Sequence, residues 1–226
     1  MPKRGTVIKK NLLINGERIK QVTNTKFLGI IIDEQLNWHD HINQCRKKIS
    51  SGLYALNANK RLMSIKNRTM LYFSLIHPYL TYGIILWGSA QMSHLQKLVV
   101  LQKKAIHAVT KSNYNEHTGP LFKQLCIPNI IDLYAIALCK LIYNHLHGES
   151  PEPLKKLFVR NAEIHTHNTR HMNDIHLTPL HTNIAHRSFI QNAPNLWLTL
   201  PENIKESQTM ISLSRNPKKY YVAKYV

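Results

Sequence analysis

From Ile42 onward the apolar side chains recur every three or four residues, and before it they do not. That change of period is the strongest constraint on what the chain can fold into. A repeat near 3.6 gives a helix one buried stripe, whereas short β-branched runs between turn residues give strands. Ile42, Cys45, Ile49, Leu53 and Leu56 make the first stripe. A second helical segment runs from about Ile65 to Leu80 and carries Met70, Leu71, Phe73 and Ile76, with Pro78 interrupting it. A third runs from about Gln91 to Thr110, where Leu95, Leu98, Val99, Gln102, Ile106 and Val109 share one face.

The first 38 residues read as β structure instead. Val7-Ile8 and Leu12-Leu13-Ile14 lead into Asn15-Gly16 and then Arg18 to Val22. Asn-Gly suits a type I′ turn, in which both central residues need positive φ, so a hairpin is predicted. The run Phe27 to Ile32, ending at Asp33, has the length and β-branched content of a buried strand. Past Ser112 a buried helix is expected over Ile130–Leu146, with Gly148 as its cap and Pro151 and Pro153 barring continuation. Residues 159–186 are polar, Asn195 to Pro201 offers an apolar anchor around Trp197, and Pro217 argues against a long closing helix. The expected class is α+β, mostly α. An N-terminal β element covers 1–38, a helical bundle 39–112, and a partly irregular helical region 113–226.

Charge decides the class of partner. Thirty Lys plus Arg against 12 Asp plus Glu leave +18 before any of the 14 His takes a proton. A surface at that charge repels itself unless a polyanion is near, and nucleic acid is the polyanion expected. With 43% hydrophobic residues the chain is not a disordered basic tail. The apolar run Gly83–Gly88 is six residues long, far short of the roughly 18 of a membrane span. Cys45, Cys126 and Cys139 are too few and too scattered for a disulfide framework. No apolar core of a signal peptide follows Lys3 and Arg4, so nucleus or cytoplasm is the expected compartment.

Lys97, Lys104 and Lys111 recur every seven residues opposite the apolar face of the third helix, with Lys103 beside them. Two readings of this row stand, a solvated helix face and a line of phosphate contacts. The tail Lys218-Lys219-Tyr220-Tyr221 similarly reads either as an ordinary terminus or as aromatic and basic groups that stack bases. His165, His167 and His171 could surround a zinc ion, but no Cys-x-x-Cys accompanies them and a polar surface segment is the competing reading. Machinery for chemistry is missing. Two-metal nucleotidyl transfer needs converging carboxylates, and the four aspartates, Asp33, Asp40, Asp132 and Asp174, include no adjacent pair. Asp33-Glu34 reads as a turn feature. Neither a phosphate-cradling loop nor a Gly-x-Ser-x-Gly elbow occurs.

Several stretches together resemble one family. Lys26 to Asp33, Leu36-Asn37-Trp38 and His41-Ile42 resemble the segment just after the catalytic palm in reverse transcriptases of Jockey-like non-LTR retrotransposons. Leu75 to Gly83, Leu86-Trp87-Gly88 and Leu98 to Ala105 fit the stretch that follows. So do Glu116-His117-Thr118 with Pro120-Leu121-Phe122, the run His165 to Arg170, and Trp197 with Leu200-Pro201. The likeness runs from about residue 12 to about 208.

The resemblance implies a role for each part. Phe27, Leu28 and Gly29 would sit in a primer-grip-like strand and turn, and 39–112 in a thumb that holds the template–primer duplex. Lys97, Lys103, Lys104, Lys111, Arg170, Lys218 and Lys219 would meet phosphates of RNA or an RNA–DNA hybrid. The family's catalytic aspartates lie upstream of everything matched, so Met1 would open a truncated reading frame. The isolated chain would be catalytically inactive and need no cofactor, Mg²⁺ serving only the full-length polymerase. The missing palm and fingers would be a protein partner. The alternative is a decayed relic or interaction module with no activity of its own.

Overall fold

Asn15 and Gly16 both take positive φ, 51° and 83°, as a type I′ turn requires. They join β1 (Leu13–Ile14) to β2 (Glu17–Arg18) in an antiparallel pair, Leu13 opposite Arg18. This is a computed structural model, and it describes residues 12–164, 172, 174–177, 179–207 and 209–225. Val7-Ile8 and the histidines 165, 167 and 171 lie outside the described residues.

The run Phe27–Ile32, expected as one strand, is two. β3 (Asn24–Phe27) turns back on β4 (Ile30–Asp33) with Phe27 opposite Ile30. Leu28 and Gly29 make the turn with φ of 46° and 84°. A positive φ costs a leucine energy, and its carbonyl is held from a distance, accepting a 2.6 Å hydrogen bond from Tyr82 Oη. That long-range bond overrides the local preference of an apolar, β-branched run to stay extended.

The helices follow in order. They are α1 (His39–Asn59), α2 (Ile65–Leu75), α3 (His77–Thr81), α4 (Ile84–Trp87), α5 (Met92–Thr110), α6 (Thr118–Gln124) and α7 (Ile130–Leu146). Beyond them come α8 (Glu152–Lys155), α9 (Asn161–Ile164), α10 (Asn183–His186), α11 (Phe189–Thr199), α12 (Glu202–Lys205) and α13 (Met210–Ala223). Pro78 falls in the first turn of α3, after a break at Ile76, which is where a ring without an N–H is tolerated.

α1 packs against α5, and α2 contacts both. Ile42, Ile49 and Leu56 meet Leu98, Ile106 and Val109 in one apolar cluster that also takes in Tyr72, Leu80 and Trp87. The polar residue on the α5 stripe, Gln102, is buried and satisfied. Its Nε2 donates to Tyr72 Oη and the Pro128 carbonyl, both at 3.0 Å, and its Oε1 accepts from Ile130 N at 2.8 Å. α7 begins in this cluster and ends in a second one with α11 and α13, formed by Leu138, Ile142, Trp197 and Leu213. Asn129 caps the N-terminus of α7, accepting from Ile131 N and Asp132 N. At the other end Gly148 N donates to His145 O and Glu149 N to Asn144 O, the paired bonds of a Schellman cap.

Pro217 does not prevent a closing helix. α13 carries it in its interior. A capping box between Thr209 and Ser212 starts the helix, and Leu213, Pro217 and Val222 are buried. Packing against α7 outweighs the backbone hydrogen bond that the proline removes.

Candidate nucleic-acid interface

The turn at Phe27, Leu28 and Gly29 stands out from the helical body, with Phe27 64% and Leu28 73% exposed. Its strands are anchored beneath it. Ile30, 7% exposed, presses against Gly83 so closely that a Cβ there would lie 2.4 Å from Ile30 Cδ1. Gly83 also has a φ of 62°, so backbone shape and space both favour glycine at this position. His41, at the start of α1, is buried, and its Nδ1 accepts from Ile31 N at 3.4 Å. That acceptor role leaves the proton on Nε2, facing Cys45 Sγ at 3.5 Å. Burial pushes the pKa of His41 down and that of the Cys45 thiol up to about 11, so both stay neutral. Ile30 and Tyr72 are buried, whereas Leu28 and Phe73, 73% and 40% exposed, are not.

The lysine row occupies the face of α5 away from the core. Lys97, Lys103 and Lys104 are exposed, and Lys111 follows the last turn as an exposed C-cap with φ 60°. Lys97 and Lys104 are about 10 Å apart along the axis, while Lys103 is turned about 100° from Lys104. The ion pairs between described residues, Glu152–Lys155 and Glu202–Lys205, involve none of these lysines. Lys111 Nζ reaches the Arg61 carbonyl at 3.4 Å, bringing the loop after α1 to the end of α5.

The other basic positions are dispersed. Lys219 is exposed on α13, but the half-buried Lys218 faces a cavity of about 260 Å³ beside His77. Burial lowers the pKa of His77, and the Lys218 charge lowers it further. Arg170 lies outside the described residues.

Three of the four aspartates hold the fold together. The Asp33 carboxylate accepts from the backbone N–H groups of Gln35, Asn37 and Trp38 at 3.1, 3.0 and 2.8 Å, the turn role its sequence context suggested. Asp40 accepts from Asn24 Nδ2 at 2.9 Å, tying β3 to α1. Asp132 accepts from Asn129 Nδ2 and from the Tyr225 hydroxyl, and burial raises its pKa. Among the described residues no three His, Cys, Asp or Glu side chains gather where a metal ion could sit. No described helix is long and apolar enough to cross a membrane.

Arg68 was invisible to sequence reasoning. It is 4% exposed in α2 and donates from Nε to Val109 O at 2.6 Å and from Nη1 to the carbonyls of Lys60 and Met63. One guanidinium thus closes the C-terminal end of α5 and the loop after α1, where the helix dipole favours a cation. Tyr82 was missed as well, since its partner, the Leu28 carbonyl, is 54 residues away.

No protein-family model matches the chain, and no solved structure matches it. Curated relatives do. The chain is 28% identical over 122 residues to the RNA-directed DNA polymerase from mobile element jockey of Drosophila funebris, covering 53% of this chain and 13% of that protein. The jockey polymerase of Drosophila melanogaster is 26% identical over 122 residues, with the same coverage. The probable RNA-directed DNA polymerase from transposon BS of Drosophila melanogaster is 29% identical over 116 residues, 50% of this chain and 13% of that protein. The chain resembles the polymerases of these non-LTR retrotransposons over about half its length, and the match spans about 13% of each relative.

Proposed function

We propose that the chain is the end of the palm, the thumb and the C-terminal part of a reverse transcriptase of this kind, and that it grips RNA or an RNA–DNA hybrid by its phosphate backbone. The observation that carries the reading is the row Lys97, Lys104 and Lys111, exposed along α5 and at its C-cap and free of carboxylate partners among the described residues. Lys103 adds charge beside it on α5, Lys218 and Lys219 add charge on α13, and Arg170, outside the described residues, is taken as a further phosphate contact on the strength of the sequence alone. Lysines outnumber arginines 21 to 9, which favours point-charge contact with phosphates over bidentate reading of bases. Phe27, Leu28 and Gly29 then act as the primer-grip-like turn, held at a fixed height by Tyr82 and His41. On this reading any Mg²⁺ belongs to the rest of the polymerase, because Asp33 is engaged in a turn, Asp40 with Asn24, and Asp132 with Asn129 and Tyr225.

Filter binding of the full chain to an RNA–DNA hybrid across a salt series tests this. With about eight phosphates contacted, log affinity falls with log salt at a slope of about −6 to −7. Lys97→Gln with Lys104→Gln makes that slope shallower by about 1.5 to 2 without altering the melting temperature. Affinity indifferent to salt overturns the proposal. The exposed Phe27 and Leu28 favour a second reading, in which the chain docks on another protein, the palm and fingers above all. A clean monomer that binds hybrid on size exclusion supports the first reading, and a self-associating product the second.

A further inference from the structure

Under the Leu28-Gly29 turn lies a cavity of about 350 Å³, within the size range of small-ligand sites. Gly29 of the hairpin, Gln44, Cys45 and Lys48 of α1, and Tyr79 and Tyr82 line it. Gln44 Oε1 is buried without a hydrogen-bond donor among the described residues. Tyr79 and Tyr82 are 39% and 56% exposed, and Lys48 is exposed with no carboxylate partner among the described residues.

An apolar occupant would leave the Gln44 oxygen unanswered. A bare anion would find the lysine but waste the rings and the neutral amide. A planar, flat-faced group with N–H donors on its edge and a phosphate attached uses the rings, the amide and the lysine together. We propose that this cavity receives one unpaired nucleobase of a single-stranded stretch, stacked against Tyr79 and Tyr82, its edge hydrogen-bonded to the Gln44 amide and its phosphate met by Lys48. A base inside a duplex is stacked on both faces and paired along that edge, so only an extruded or unpaired one can enter. The inference rests on the nucleic-acid reading above and extends it from phosphates to a base.

The test uses the full chain and single-stranded RNA and DNA oligonucleotides carrying 5-iodouracil, irradiated and mapped by peptide mass spectrometry. Fluorescence anisotropy on the same strands and on a blunt duplex runs in parallel. The expected result is a crosslink at Tyr79 or Tyr82. Tyr79→Ala weakens single-strand affinity about ten-fold or more and leaves duplex affinity unchanged. Gln44→Leu weakens it less and keeps the fold should Tyr79→Ala unfold. Crosslinks confined to other residues, or variants with undiminished single-strand affinity, overturn the pocket while the phosphate reading survives. Failure of the wild-type chain to bind any oligonucleotide at low salt overturns both.

Discussion

A guanidinium is among the hardest groups to bury without a counter-ion, yet Arg68 is nearly enclosed and answers to three carbonyl oxygens. The arrangement works because Val109 and Lys60 end α5 and α1, where carbonyls lack intrahelical partners, and Met63 lies in the loop between α1 and α2. Arg68→Leu would strand those acceptors, so a loss of about 2–4 kcal/mol is expected by urea titration. Arg68→Lys should recover only part of it, since an ammonium cannot spread its donors as a planar fork does. A loss below about 0.5 kcal/mol for Arg68→Leu would show that the carbonyls find water instead. Nothing local separates Arg68 from the exposed Arg61 seven residues earlier. The difference is made by Val109, 41 positions downstream.

At the scale of elements, α1 and α2 approach where Gly52 faces Leu75. A Cβ on Gly52 would lie 2.7 Å from the Leu75 carbonyl oxygen and 3.2 Å from Ile76 Cγ1. Alanine ordinarily stabilises a helix interior by about 1 kcal/mol over glycine. Here the sign should reverse, with Gly52→Ala lowering stability by about 1–3 kcal/mol through overpacking. A thermal melt shifted upward would show that the two helices can part without cost.

Which elements sequence could reveal follows from where their determinants sit. α5 and α7 lie within a residue of their expected ranges, because their stripes and Gly148 are local signals. The Asn15-Gly16 turn was legible for the same reason. Leu28-Gly29 was not, because an apolar pair becomes a turn only when Tyr82 arrives from elsewhere in the fold. Pro217 misled in the opposite direction, its cost offset by contacts with α7 that no window around it contains. Of the site, the lysine row could be read from spacing alone. The cavity beneath the hairpin could not, since Gln44 and Tyr79 meet only after α1 and α3 have packed.

For the whole molecule, acid should be destabilising. Burial pushes the pKa values of His41, His77 and His145 down, so the folded chain resists protonating them. The unfolded chain takes those protons near pH 6.5. Below that value it binds more protons than the native state, and stability falls as pH falls. Calorimetry between pH 7.5 and 5 should show the melting temperature dropping, with the decline persisting in added salt. A decline that salt abolishes would instead implicate repulsion among the chain's surplus positive charges.

The carbonyl cage around Arg68 carries a practical corollary. Dissolved ions screen solvent-facing amines over roughly 8 Å at physiological strength and over less when concentrated, but they have no access to a cation sealed between helix ends. The two kinds of positive charge therefore part company under brine: the outer ones release whatever polyanion clings to them, and the inner one keeps the bundle shut. Contaminating host nucleic acid can be rinsed away on this basis, and the same folded molecules desalted for the binding series.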